Sequence, residues 1–414
     1  MKVTVNKSLQ IALIVTLIAT ALSFGKFNHC RASGWGSPDV YIHMCYSDIT
    51  ALYSERGMDT HDFPYASATN SVEYPVVTGL VMWGTSFLVT DKNNPYRNYF
   101  DMNLVFLILL LLGAALLVHS LNPEFSYLLP LSPAVVASLF INWDLWAVSA
   151  AIASIYFFAR DKRNLSAVFL GISVATKFFP IVFLLPFALH SIYLRRIKNF
   201  LQYCAITLFT WLVINLPIAF TYLDGWSRFY TMNFTRQADW GSLWYALTKF
   251  GANVGALNYL AVVVTLVLIL GLTIFYSEIC KTRSPLHNLF LLIFLTMAAF
   301  TTINKVYSPQ YVLWLTPFAV LALNDKKERS AFWIWQTGEA LYHFAIWQYL
   351  AQFTGAKFGL PENWYLFFLL LRIATLIWFC IALMRSALAL RSTTERSSKA
   401  PLLEFLSRAT EGYA

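Results

Sequence analysis

One polar stretch, reading WGSPDVYIHMCYSDITALYSERGMDTHDFPYASATNSVEYP, collects Asp39, His43, Asp48, Glu55, Asp59, His61, Asp62 and Glu73. Carboxylates and imidazoles at this density are proton-transfer groups, so a general acid or base is expected here. Within it Ser47 precedes the segment Asp48 to Arg56, whose Ile49, Leu52 and Tyr53 share one helical face. Asp48 is therefore either a capping carboxylate at the start of an interfacial helix or a reactive base.

Two cations stand out by position. Lys177 in ATKFFP and Lys305 in TINKVYSPQYVLW fall directly between apolar runs, where a lone ammonium needs water or an anion. Either suits a phosphate at a membrane surface. Asn142 and Asp144, in INWDLW, sit at a similar depth and read equally as polar supports or as ligands. A second polar loop, LDGWSRFYTMNFTRQADWGSLWYALTKFG, interleaves Arg228, Arg236 and Lys249 with Trp226, Trp240, Trp244 and Tyr245. Aromatic faces there would stack on sugars and arginine would grip phosphate, although an aromatic belt with snorkelling cations has the same composition. No Walker loop, dinucleotide glycine fingerprint, Gly-x-Ser-x-Gly elbow or metal-spaced His and Cys motif is present. Nucleotide-driven transport and cytosolic nucleotide-sugar chemistry are thereby disfavoured, and no cofactor and no metal is called for.

The elements that must position these groups follow from composition. Of 414 residues, 58% are hydrophobic and 12% charged, against about a quarter charged in soluble proteins. Apolar runs near the roughly 20 residues that cross hydrocarbon recur along the chain. The fold class is an all-α polytopic membrane protein. Its net charge of +9 lies in small clusters between apolar runs, which points to membrane orientation rather than nucleic acid.

Clusters at Arg160–Arg163, Arg195–Lys198, Lys281 and Arg283, Lys326–Arg329, and Arg385 onward are expected inside. The loops 27–74 and 224–253, with the turns near Lys177, Asn304 and Gly355, are then outside. The run Ile11 to Leu22, after Lys2 and Lys7, reads as a retained first span. Four apolar runs between Glu73 and Arg160 give the wrong parity, so Tyr127 to Ile141, with Pro130 and Pro133, is expected to be a half-crossing helix. About twelve full spans remain. Residues 1–390 form the membrane domain and 391–414 a cytoplasmic tail. Cys30 and Cys45 share the first outer loop and are a disulfide candidate, while Cys204, Cys280 and Cys380 lie in or beside apolar runs.

The ordered set Asp48–Ile49…Leu52–Tyr53, Phe63–Pro64–Tyr65, Glu73–Tyr74–Pro75, Lys177–Phe178–Phe179–Pro180 and Asn304–Lys305–Val306–Tyr307–Ser308–Pro309–Gln310–Tyr311 resembles glycosyltransferase family 87. The resemblance implies a GT-C-type fold of the actinobacterial kind, in the bacterial cytoplasmic membrane, with its active site on the extracytoplasmic side. It implies transfer of a sugar, mannose first, from a polyprenyl-phosphate donor to a lipid or glycolipid acceptor. The position matching the family's Asp-x-x-x-x-Tyr base is Asp48, with Asp39 as the competing choice. On that reading Lys177, Arg236 and Lys305 hold the donor phosphate, and Glu73, Tyr74, Asn142, Asp144, Trp240, Trp244, Asn304 and Gln310 line the sugar and acceptor sites. The family's Tyr-Pro-Pro reads Tyr74–Pro75–Val76 here, and Cys30 and Cys45 are extra, which leaves the acceptor open. The alternatives are arabinosyl or other sugar transfer on the same fold, a transporter or flippase of a lipid-linked sugar, and a structural membrane subunit.

Overall fold

The computed structural model of the protein describes residues 7–280 and 284–394. Lys2, Lys281, Arg283 and the tail beyond Thr394 lie outside the described residues. No strand occurs among the described residues. In chain order the helices are α1 (Lys7–Ser33), α2 (Asp39–Ile42), α3 (Asp48–Glu55), α4 (Val76–Ser86), α5 (Pro95–Leu121), α6 (Leu128–Leu131), α7 (Pro133–Ser138), α8 (Asp144–Ala159) and α9 (Arg163–Thr176). They continue with α10 (Leu184–Tyr193), α11 (Ile197–Thr221), α12 (Leu223–Thr235), α13 (Leu243–Lys249), α14 (Val254–Ile279), α15 (Pro285–Ile303), α16 (Val312–Ala322), α17 (Glu328–Phe353) and α18 (Glu362–Thr394).

Six of these, α1, α5, α11, α14, α15 and α18, contain segments long and apolar enough to cross a membrane. Other apolar runs form shorter pieces, among them α4, α8 and Phe179–Tyr193. Leu17 and Leu22 on α1 and Val262, Leu266 and Val267 on α14 are exposed. Such surfaces are unfavourable in water and settled in hydrocarbon, so this is a multi-pass membrane protein.

The chain divides into two compact units. The first holds residues up to Pro180, Ile206–Gln237 and His343–Tyr365; the second holds Ile181–Ala205, Ala238–Tyr342 and residues from Leu366 on. In the first, α8 packs against α9 and α5. Small residues allow the approach, as is usual between helices in lipid. Ser173 donates to the Ala147 carbonyl at 2.7 Å, and the hydroxyls of Ser154 and Ser166 meet at 3.2 Å. Gly171 on α9 faces α11, where an added β-carbon would come within 2.7 Å of the Thr207 carbonyl oxygen.

The run Tyr127 to Ile141 is two short helices, α6 and α7, parted at Ser132 where Pro133 begins the second. Breaking a helix frees carbonyls that must find other donors. Lys26 of α1 donates to the Ala137 carbonyl at 2.5 Å, and Ser47 donates to those of Phe140 and Ile141 at 2.9 and 3.0 Å. The helix expected from Asp48 is α3, and part of its apolar face meets protein. Ile49 and Tyr53 are buried, and Tyr53 stacks on Tyr99 of α5 with ring centroids 4.5 Å apart. The more exposed amphipathic helix is α12, of which Gly225 alone is buried. Cys30 and Cys45 are joined in a disulfide that ties the end of α1 to the segment before α3.

In the second unit α15 packs against α10, α14 and α16. A fully buried Arg372 on α18 donates to Glu339 of α17 at 2.7 Å and to the carbonyls of Tyr307 and Ser308 at 2.7 and 3.1 Å. Tyr307 closes the set by donating to Glu339 at 2.9 Å. This network fixes the turn that follows Asn304.

Candidate functional site

The freed carbonyls of the broken segment place Asp48. The Asp48 amide donates to the Ile141 carbonyl at 2.7 Å, and Ser47, the N-cap of α3, accepts from the Ile49 amide at 3.2 Å. The same strand of chain then turns through Asn142, whose Oδ1 accepts from the Asp144 amide at 3.0 Å and so starts α8. Tyr74 precedes Pro75, the N-cap of α4, and its carbonyl accepts from the buried Tyr65 hydroxyl at 3.0 Å. Lys177 follows α9, whose last carbonyl, at Thr176, accepts from Thr78 of α4 at 2.6 Å.

Four helix ends therefore meet around two carboxylates, Asp48 and Asp144, and one ammonium, Lys177. Asp48 accepts from the Tyr46 hydroxyl at 2.9 Å through Oδ1 and from the Tyr74 hydroxyl at 3.0 Å through Oδ2. Lys177 donates to Asp144 at 2.7 Å and lies 4.5 Å from the centroid of the Tyr74 ring. The Asp144 side chain is 1% exposed whereas that of Lys177 is 15% exposed, so the lysine is the more accessible side chain of the pair. Asn142 is buried, and its Nδ2 has no hydrogen-bond partner among the described residues.

Burial raises the Asp48 carboxyl above its ordinary value; the Tyr46 and Tyr74 hydroxyls and the Lys177 charge oppose this without cancelling it, and Asp144 adds to the rise. A carboxylate held upward in this way accepts a proton more readily than a free one. At Asp39 the balance is reversed: burial is the largest single influence and raises it, but His29, His43 and the Ser33 hydroxyl together outweigh that and hold it below the usual range. Along α3 a cavity of about 590 Å³ opens, with Tyr46 and Ser47 in its wall beside Trp35, Tyr41, Tyr96 and Arg97.

The structure thus gathers Asp48, Tyr74, Asn142, Asp144 and Lys177. Glu73 turns away into a two-pronged pair with Arg56, at 2.7 and 2.5 Å. Burial alone would raise its carboxyl, but Arg56 holds it below the ordinary value. Arg236 ends α12 in the first unit. Trp240, Trp244, Asn304, Lys305 and Gln310 belong to the second unit, where Trp244 donates to the Ile303 carbonyl at 2.6 Å and the Asp239 amide to that of Lys305 at 2.8 Å. Sequence reasoning did not single out Tyr46, nor the pair Arg372 and Glu339. A charged residue inside an apolar run was the available signal for the latter; for Tyr46 only its place two residues before Asp48 was visible. The matched Tyr53 stacks away from Asp48, on α5.

No protein-family model matches the chain. It is similar to a mannosyltransferase. GPI mannosyltransferase 1 of Kluyveromyces lactis is 27% identical over 231 residues, which is 51% of this chain. The chain spans 56% of that relative's length. A solved structure, the crystal structure of ArnT from Cupriavidus metallidurans bound to undecaprenyl phosphate, overlaps with a TM-score of 0.47 at 13% identity, over 92% of this chain and 78% of that one.

Proposed function

We propose that the protein is a membrane glycosyltransferase that moves a sugar, mannose first, from a polyprenyl-phosphate donor to a lipid or glycolipid acceptor at the extracytoplasmic face of a bacterial cytoplasmic membrane. The observation that carries this reading is Asp48, held by two tyrosine hydroxyls and raised in basicity beside a partly exposed lysine. The likeness to a mannosyltransferase supports the choice of sugar.

In the reaction Asp48 takes the proton of an acceptor hydroxyl as its oxygen forms a bond to the anomeric carbon. The bond from that carbon to the phosphate oxygen breaks, and its electron pair leaves on the polyprenyl phosphate. In-line displacement inverts the anomeric centre. Lys177 stabilises the growing phosphate charge, with Arg236 of the same unit as a further cation for the donor. The free amide hydrogens of Asn142 offer a donor to a sugar hydroxyl, removing the cost of about 1–3 kcal/mol that a buried unpaired group carries. The aromatic and polar lining of the cavity along α3 suits the acceptor.

The test incubates purified wild-type and Asp48→Asn protein with radiolabelled polyprenyl-phosphate-mannose and a total lipid extract. New labelled glycolipid with the wild type alone supports both the activity and the base. Transfer by both proteins removes Asp48 from that role; transfer by neither, followed by transfer from an arabinose or glucose donor, moves the reading to another sugar.

A further inference from the structure

Away from Asp48, the first polar loop assembles a second cluster. His29 stands in the last turns of α1, Asp39 opens α2, and His43 follows α2 immediately. Asp39 Oδ2 lies 2.7 Å from His29 Nε2, and Asp39 Oδ1 lies 3.0 Å from His43 Nδ1. The two imidazoles stack with centroids 3.5 Å apart. His43 Nδ1 is also 3.3 Å from the Asp39 carbonyl oxygen, and Ser33 donates to Asp39 Oδ2 at 3.3 Å. One potential ligand atom from each of the three side chains falls within 4.8 Å of the others. The Cys30–Cys45 bond lies next to His29 and two residues from His43, so it fixes the backbone on both sides of the cluster.

We propose that His29, Asp39 and His43 form a binding site for a divalent zinc ion. Two neutral imidazoles and one carboxylate are the donor set of three-ligand zinc sites, which keep a fourth position for water. Bonds of about 2.0–2.1 Å put tetrahedral ligand atoms roughly 3.4 Å apart, within reach of small side-chain rotations here. Nitrogen donors select against calcium and magnesium, which take oxygen. Ser33 supplies the outer hydrogen bond that orients the carboxylate. All three side chains are at least partly exposed, so the ion enters from water. Bound there, it crosslinks the end of α1 to α2 a second time, beside the disulfide. The site is separate from the sugar-transfer reading and needs no part of it.

The experiment uses the untagged full chain in detergent, stripped with a chelator and dialysed against zinc chloride, with calcium and magnesium chloride as controls. Bound metal is counted by mass spectrometry and the melting temperature is followed. Stoichiometric zinc with a raised melting temperature is expected for wild type and for Asp48→Asn. His43→Ala and Asp39→Asn should lower zinc affinity more than about 100-fold while remaining monodisperse. Absence of zinc from the wild type, or zinc retained by both variants, overturns the proposal.

Discussion

Asp48 is at once a liability to the fold and the asset of the site. Its carboxyl binds its proton more tightly when folded than when unfolded, so raising pH between the unfolded and folded values ionises the unfolded chain first and lowers stability. Asp48→Asn removes that penalty. At neutral pH its melting temperature should equal or exceed that of wild type, while turnover falls by about 10²–10⁴-fold; scanning calorimetry and the transfer assay read the two together. Because turnover needs the ionised form, the acid limb of the pH profile should lie above the ordinary carboxylate range. Tyr46→Phe and Tyr74→Phe each delete a donor that favours the ionised form. Each should move that limb further upward, and a limb unchanged in both variants would contradict the assigned hydrogen bonds. Sequence alone singled out Asp48, Tyr74, Asn142, Asp144 and Lys177. It did not reveal that Asp144 answers Lys177, since the two lie 33 positions apart and meet only when α8 and α9 pack.

At the scale of elements, α3 is anchored by what a neighbouring helix leaves undone. The prolines in 127–141 made a break in that run legible, because proline cannot donate and displaces the preceding turn. Which groups would satisfy its carbonyls was not legible, because Ser47 is more than ninety positions away from Phe140 and Ile141. Ser47→Ala should cost about 0.5–2 kcal/mol for the lost cap, measured by chemical unfolding in detergent, with turnover falling as well because Asp48 loses its footing. Gly171 tests the packing that sets Lys177. Gly171→Ala drives a β-carbon against the Thr207 carbonyl, and should destabilise by about 1–3 kcal/mol. An unchanged unfolding midpoint would mean that α9 and α11 can separate at no cost. That the apolar face of α3 meets α5 was not legible, because its pattern is the same whether it meets lipid or protein.

For the molecule as a whole, composition settled the helical class and the membrane, since apolar runs of that length have few other fates. Span boundaries were less legible: α8 has 16 residues and α9 has 14, lengths permitted because helices surrounded by protein need not meet hydrocarbon along their whole length. The buried Arg372 network is the main polar investment of the second unit. Arg372→Ala leaves the buried Glu339 without its partner and should cost about 3–5 kcal/mol. Thermal unfolding of that variant beside Glu339→Gln/Arg372→Gln would show how much belongs to the uncompensated charge.

The Cys30–Cys45 bond also records how the chain was threaded. A cystine persists where oxidants reach it and stays open where cellular reductants do. Of the five cysteines in the sequence, Cys204, Cys280 and Cys380 are free. A chain inserted with its first loop outward therefore keeps three reactive thiols, and a chain inserted the other way keeps five. Counting maleimide adducts on the denatured protein turns this bond into a molecule-by-molecule tally of orientation.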